Sequence, residues 1–156
     1  MRCLITGIDS EGLSCVVETV EVPEPQGPVD VFGLFRTHTT PPPPRPPGRD
    51  GLHSFGVKPG RLHWVMTRWA PGADTAEMHH TDTIDLDLVL SGSIDLILYD
   101  GTHRLQAGDA AVINGVDHGW RAGPEGALMS YVLLGTEPPA ETGWVDEDQD
   151  RTEDVA

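Results

Sequence analysis

Apolar residues recur at every second position in several short segments of the chain, and this alternation predicts β-strands. In residues 93–99, Ile94, Leu96 and Leu98 occupy alternate positions, as on a strand with one buried face. Asp100-Gly101 follows directly and is a strong signal for a two-residue hairpin. No stretch sustains a helical apolar repeat over three turns. We therefore predict an all-β fold with little helix.

Turn residues divide these apolar segments into short strands of similar spacing, which is typical of a β-sandwich or jelly roll. Ser91-Gly92 is predicted to be a tight turn, and Gly123-Pro124-Glu125-Gly126 is predicted to separate the last two strands. The candidate strands are Arg2 to Thr6, Ser14 to Thr19, Val29 to Arg36, Arg61 to Trp69, Asp85 to Leu90, Ser93 to Tyr99, Thr102 to Gln106, Ala110 to Asn114, His118 to Ala122 and Ala127 to Leu134.

The distribution of proline and of charge predicts three regions. Residues 1–55 form an N-terminal arm with candidate strands, and its proline-rich run at 41–47 cannot donate ladder hydrogen bonds. Residues 56–138 carry the regular strand pattern and form the barrel. Residues 139–156 are rich in acidic side chains and poor in apolar ones, so we expect a solvated, disordered tail. One globular domain of this size needs no disulfide.

The composition excludes some classes of partner. Acidic residues outnumber basic ones by 25 to 10, giving a formal net charge of −15. A field of that sign repels phosphate backbones and anionic membrane surfaces, so nucleic acid and lipid are poor partners. No apolar run approaches the roughly 20 residues of a membrane-spanning helix, and we expect a soluble, cytoplasmic protein. The two cysteines, Cys3 and Cys15, form no closely spaced metal-binding pair.

Two motifs in the region after residue 70 resemble those of the cupin superfamily. The first consists of Pro71-Gly72, His79-x-Thr81, Asp85 and Gly92, and the second of Gly108, Ile113-x-Gly115 and His118. The stretch from Met78 to Asp85 further resembles small cupins with a His-x-Thr-Asp-Thr-x-Asp signature. The resemblance covers about Arg61 to Leu134 and implies a single cupin barrel, a double-stranded β-helix or jelly roll.

Cupins generally hold one divalent metal through three histidines and a glutamate, and the resemblance implies a similar centre here. His79, Asp85 and His118 are the matching ligands, while Thr81 replaces the second histidine. Two imidazoles and one carboxylate suit iron, nickel, zinc or manganese. The alternative is a barrel that has lost its metal and keeps these residues as a binding pocket. A second register, with His80 as ligand, would place Met78 in the first position, so we prefer His79 and expect His80 to point outward.

Other side chains are candidates for the cavity by strand alternation. Asp87 shares the parity of Asp85, and Asp82 lies in the turn before it, so either is a candidate general acid or base. For Asp82 we favour the simpler explanation, a side chain that caps the turn. Trp120 shares the parity of His118, and Tyr131 and Met66 are placed in the substrate pocket with Thr81. Alternation leaves open which face of the strand at residues 61–69 points inward.

The resemblance implies a small enzyme acting on a modest organic molecule, such as a carbonyl acid, a phenol or a polyketide-like compound. Decarboxylation, dehydration, isomerisation, cyclisation or oxygenation are the reactions we consider, and secondary metabolism is the setting. The alternative is a ligand-binding module without turnover. We further expect a homodimer in which the N-terminal arm adds strands to the neighbouring subunit's sheet.

Overall fold

A computed structural model of the chain describes residues 1–24, 26–36, 56–75 and 77–137, and in these residues all regular structure is β-sheet. The predicted all-β fold class is confirmed. The strands are β1 (Arg2–Ile8), β2 (Ser14–Glu21), β3 (Leu62–Trp69), β4 (Thr83–Leu98), β5 (Gly101–Gln106), β6 (Ala110–Asn114) and β7 (Gly119–Gly135). Within the same ranges there is no helix whose length and hydropathy would suit a membrane span.

The seven strands form one sheet in the order β2-β1-β6-β4-β7-β3, with β5 paired to the second half of β4. Strand β4 is central, because its first half lies between β6 and β7 and its second half between β5 and β7. All pairs are antiparallel except β1 and β6, which run parallel. The Asp100-Gly101 hairpin joins β4 to β5, as the sequence predicts.

The two longest strands are continuous where the sequence predicts turns, which corrects both turn predictions. Strand β4 passes through Ser91 and Gly92, and its register against β7 shifts on either side of them. Asp85, Asp87 and Val89 are buried before the shift, and Ile94, Leu96 and Leu98 are buried after it. The buried parity therefore changes from odd to even, as a β-bulge requires. Strand β7 likewise runs unbroken through residues 123–126.

Gly92 has a φ of +74°, a value that an L side chain seldom adopts. A Cβ atom at this position would lie 2.0 Å from the carbonyl oxygen of Gly126 on β7. A tight turn and a bulge both require this backbone freedom, so the glycine alone did not distinguish them. The bulge lets one strand serve two different neighbours.

The interior holds one contiguous apolar cluster to which five strands contribute. It consists of Leu4, Val89, Ile94, Leu96, Leu98, Leu105, Ala111, Ile113, Val116, Trp120, Ala127, Met129, Tyr131 and Leu133. A second buried cluster lies around β1 and β6 and contains Cys3, Ile5, Ile84, Ala110 and Val112, with Leu34 and Phe35 packed against it. Alternate residues of β4 contribute to the two clusters, so the sheet has apolar side chains on both faces.

The N-terminal arm is part of this sheet. Strand β1 pairs with β6 of the same chain, so that Cys3, Leu4 and Ile5 lie opposite Ala110, Ala111 and Val112. The predicted strand at residues 29–36 is wrong, because that segment has no ladder partner in the described residues. Instead, its Leu34 and Phe35 pack against the second buried cluster, around β1 and β6. The proline-rich run and the acidic tail lie outside the described residues.

Candidate functional site

Two carboxylates lie side by side on the inner face of β4. Asp85 and Asp87 are 4% and 3% exposed, although aspartate is disfavoured inside a strand. Asp85 is opposite Leu133, and Asp87 is opposite Tyr131 on β7. The Thr83 hydroxyl bonds the Asp85 carboxylate and lies 2.7 Å from the Thr81 hydroxyl. Oδ1 of Asp87 is buried and has no hydrogen-bond partner in the described part of the chain.

Burial shifts both carboxyl groups toward the protonated form. Loss of hydration raises the pKa of Asp85 to about 7, against the opposite effect of the hydrogen bonds from Thr83 and Thr81. The pKa of Asp87 is raised well above its usual range, first by burial and then by the neighbouring charge of Asp85. Burial therefore favours the protonated form of Asp87, which can donate a hydrogen bond.

Tyr131 lies next to these carboxyl groups and is held in place by its hydroxyl. That hydroxyl donates to the sulfur of Met129 at 3.1 Å and accepts from Nε1 of Trp69 at 3.2 Å. The indole nitrogen also lies 2.9 Å from the hydroxyl of Thr67. Burial and the charge of Asp87 raise the pKa of Tyr131 above its usual value, so it stays a neutral phenol.

A pair of histidines lies at the start of β7. The backbones of His79 and His118 exchange two hydrogen bonds of 2.9 and 2.8 Å, and their ring centroids are 4.4 Å apart. The ring of Trp120 meets the ring of His118 edge-on, with centroids 5.9 Å apart. The structure therefore places His79 and His118 in contact through both their backbones and their rings.

His118 is a neutral base in this environment. Burial, followed by the nearby His79, lowers the pKa of His118 to about 3. Its Nδ1 lies 2.9 Å from the carbonyl oxygen of Val116, and a carbonyl can only accept, so Nδ1 carries the proton. The lone pair is consequently on Nε2, the ring atom that can accept a proton or a hydrogen bond.

His80 does not point to solvent, as strand alternation had led us to expect. It is only 3% exposed, and its Nδ1 lies 2.9 Å from Oδ1 of the buried Asp117. His79 therefore contacts His118 through the backbone and the rings. The adjacent His80 bonds Asp117 through its side chain. The sequence contained no local signal for the second pair, because it joins side chains 37 positions apart.

The remaining predicted site residues are placed as follows. Thr81 and Trp120 are buried, at 2% and 4% exposure, as expected for the interior. Asp82 is half-buried before β4, and its carbonyl oxygen accepts a hydrogen bond of 2.9 Å from the backbone of Thr136. Met66 is 58% exposed and lies on the outer face, which corrects its assignment to the pocket.

The side chains that surround Tyr131 were not indicated by the sequence pattern. The inward face of β3 carries Thr67 and Trp69, both of which lie close to Tyr131 through the bonds given above. Thr83 was also missed, although it follows from stepping back two positions along the strand from Asp85. Both faces of β3 carry apolar residues, so the sequence pattern did not indicate which face of this strand points inward.

The predicted metal ligands are only partly brought together. His79 and His118 are in contact, whereas the carboxylate of Asp85 has the hydroxyls of Thr81 and Thr83 as hydrogen-bond partners. Among the residues that the structure describes, no three His, Cys, Asp or Glu side chains are grouped so as to hold a metal ion. A hydroxyl at position 81 is also a weak ligand. The residues as arranged do not fit a metal centre of three protein ligands.

Comparison with curated proteins gives two similar sequences from the fungus Diaporthe leptostromiformis. They are phomopsin biosynthesis cluster protein C' and phomopsin biosynthesis cluster protein D, each 42% identical to this chain over 71 residues. The matched part is 44% of this chain and 37% of each relative, so the chain spans little more than a third of their length. No family model matches the sequence.

Solved structures with a similar arrangement include proteins of the cupin type. The polyketide cyclase RemF from Streptomyces resistomycificus is 27% identical, with a TM-score of 0.44 over 57% of this chain and 65% of its own. A Cupin_2 domain of an XRE family transcriptional regulator from Enterobacter cloacae is 15% identical, with a TM-score of 0.44 over 50% and 85%. KdgF from a Halomonas species is 22% identical, with a TM-score of 0.42 over 52% and 76%. These likenesses concern the fold only.

Proposed function

We propose that this chain is a cupin-type enzyme that moves protons on a small organic molecule without a bound metal. The observation that carries the proposal is the buried Oδ1 of Asp87, which has no hydrogen-bond partner among the residues that the structure describes. A buried polar atom without a partner is costly. A substrate that accepts a hydrogen bond from the protonated Asp87 removes that cost when it binds.

The two kinds of titratable group in the interior have complementary roles in this proposal. Asp87 is held protonated by burial and by the nearby Asp85, and it acts as the general acid. His118 is held neutral with its lone pair on Nε2, and it acts as the general base. The opposite shifts of the two pKa values assign Asp87 as the proton donor and Nε2 of His118 as the proton acceptor.

The substrate class follows from the surroundings of these groups. Trp120 and Tyr131 belong to the apolar cluster that lines the interior, so a largely apolar, aromatic or carbonyl-bearing molecule is favoured. The protonated carboxyl favours a carbonyl or phenolate oxygen as its acceptor. The similarity to two proteins of a biosynthesis cluster supports a place in secondary metabolism, and dehydration, isomerisation or ring closure fits acid–base chemistry better than oxygenation does.

The test is a panel of phenols, carbonyl acids and aromatic polyketide mimics incubated with the protein in deuterated buffer. Mass spectrometry detects both deuterium incorporation next to a carbonyl and new products. We expect at least one compound to react, and we expect Asp87→Asn and His118→Gln each to slow it about 100-fold or more. His103→Gln, a change at the partly exposed partner of Asp100, is the control and should retain the rate.

The alternative function is a binding module without turnover. It predicts that compounds of the same panel raise the thermal midpoint of the protein while none exchanges or reacts. In that case Asp87→Asn and His118→Gln weaken the ligand-induced stabilisation and have no rate to change. That pattern would refute the enzymatic proposal.

A further inference from the structure

The outer face of the sheet carries a broad array of apolar side chains across β3, β7 and β4, which we call the β3–β7–β4 face. Its members alternate with the inward-pointing residues along each strand. They are Leu62, Trp64, Met66 and Arg68 on β3, Leu128, Ser130, Val132 and Leu134 on β7, and Ile84, Leu86, Leu88 and Leu90 on β4. Ten of these twelve positions are apolar.

The strand register arranges these side chains in continuous rows. Trp64 lies opposite Val132, which in turn lies opposite Leu86, so one apolar row crosses all three strands. The next row runs from Leu62 through Leu134 to Ile84. Nε1 of Trp64 donates to the hydroxyl of Ser130 at 2.7 Å, which satisfies the polar group in the middle of the face.

Much of this face is open among the described residues. Trp64 is 74% exposed, Leu62 59% and Met66 58%, and Leu86 and Leu90 are exposed by 44% and 43%. Contiguous apolar patches larger than a few hundred Å² are rare on monomers and mark interaction sites. The side of the same face toward β6 is different, because Leu34 and Phe35 pack against the cluster that contains Ile84 and Val112.

In sequence, the parts of the chain outside the described residues carry few large apolar side chains other than proline. Residues 37–55 contain only Leu52 and Phe55 as large apolar residues. Residues 138–156 contain Trp144, Val145 and Val155 together with seven acidic residues, among them Asp146 and Glu147. An acidic segment is also a poor match for an uncharged apolar surface.

The charge and the size of the face suit a second copy of the chain. The face has no acidic residue, in a protein with 25 of them, and Arg68 is its one charged position. Two copies can therefore approach through this face with the least repulsion. The five most exposed side chains offer roughly 500 Å² per copy, with Trp64 the largest. Two copies bury on the order of 1,000 Å² from these alone, which reaches the lower range of specific interfaces.

We infer that two copies of this chain pack through the β3–β7–β4 face, sheet against sheet, with Trp64 and Leu86 near the centre of the contact. Packing of two sheets through apolar faces is a common way to build a β-interface. This contact lies on the face of the sheet, whereas strand addition by the N-terminal arm would use the edge strand β2. It does not depend on the proposed chemistry of the interior.

The experiment is sedimentation velocity of the full chain and of two variants at matched concentrations. We expect the wild type to have twice the chain mass of 16.9 kDa. The double variant Trp64→Arg with Leu86→Arg should sediment as a monomer. Val17→Arg changes an apolar side chain that is 55% exposed on β2, away from the face, and should remain a dimer.

A monomeric wild type would overturn the inference, whichever segment of the chain then covers the face. A dimer that persists in the double variant would also overturn it, because its interface would lie elsewhere. Circular dichroism checks that the variants are folded. If the arginine variant fails to fold, the milder pair Trp64→Ala with Leu90→Ala should raise the dimer dissociation constant at least about tenfold, and an unchanged constant would contradict the inference.

Discussion

Nδ1 of His80 lies 2.9 Å from Oδ1 of Asp117, and both side chains are buried. This bond joins the segment before β4 to the segment before β7. The neighbouring residues His79 and His118 are joined by two backbone hydrogen bonds at the same place. The His80–Asp117 pair therefore supports His118, the proposed base, because it holds Asp117 in place and Asp117 directly precedes His118 in the sequence.

Removing the His80–Asp117 bond should destabilise the protein. We expect His80→Ala to lower the free energy of unfolding by about 2 kcal/mol, since it leaves a buried carboxylate without this partner. His103→Ala is a matched control, because His103 and Asp100 make a bond of 2.8 Å that is partly exposed. That change should cost less than about 1 kcal/mol. Urea denaturation measures both values, and equal losses would contradict the assigned role of burial.

The stability of the protein should depend on pH through Asp85. Its pKa is raised to about 7 in the folded state, so the folded protein retains a proton that the unfolded chain loses above about pH 4. The free energy of unfolding therefore falls as pH rises from about 4 to about 7, by on the order of 4 kcal/mol at most. Asp85→Asn removes this decline.

The comparison must be made between variants, because His118 acts in the opposite direction. Its folded pKa is about 3, so the unfolded chain takes up a proton below about pH 6.5 and stability falls toward acid. We expect Asp85→Asn to gain stability relative to the wild type between about pH 5 and about pH 8 in urea titrations. Asp95→Asn, at a carboxylate bonded to Arg104, is the control. A difference that is independent of pH would show that Asp85 ionises normally.

Metal should be unnecessary for folding. Since Asp85 is bonded to two threonine hydroxyls and Thr81 stands where a third imidazole would be, we expect untagged protein to carry less than about 0.1 equivalents of iron, nickel, zinc or manganese. Chelators should leave the thermal midpoint unchanged. A stoichiometric metal that is lost in each of His79→Ala, Asp85→Ala and His118→Ala would contradict this prediction and restore the centre implied by the cupin resemblance.

The bulge in β4 should tolerate no side chain at position 92. A Cβ atom there would collide with the backbone of Gly126, in addition to the strain of a positive φ. We expect Gly92→Ala to cost about 3 kcal/mol or more. Gly72 has a similar φ of +70°, but no atom of the described residues lies within 4 Å of an added Cβ atom there, so Gly72→Ala should cost only about 1 kcal/mol. Thermal denaturation of the two variants separates collision from strain.

Much of the fold could be predicted from local patterns. The alternation in residues 93–99 and the Asp100-Gly101 hairpin predicted β4, β5 and their pairing. The bulge at Gly92 could not be distinguished from a turn, because both need the same backbone freedom. The segment at residues 29–36 has strand-forming residues, yet its Leu34 and Phe35 pack against the second buried cluster. Whether such a segment pairs as a strand or packs through its side chains depends on partners that are distant in the sequence.

The candidate site was predictable where it depended on spacing along the strands. Parity placed Asp87 beside Asp85, and the two motifs brought His79 to His118. The contact between His80 and Asp117 is a side-chain interaction between distant segments, so no local pattern indicated it. The placement of Met66 was wrong because both faces of β3 have apolar residues, and alternation then carries no information on direction.

The parallel pairing of β1 with β6 has a consequence for how the protein is made. Residues 3–5 lie against residues 110–112, so the first strand leaves the ribosome long before its inner neighbour exists. Throughout most of synthesis Leu4 and Ile5 lack the burial they have in the finished protein, and only the hairpin with β2 is locally possible. Folding should therefore be slow, with the unpaired edge of the nascent β1 as a point where chaperones bind.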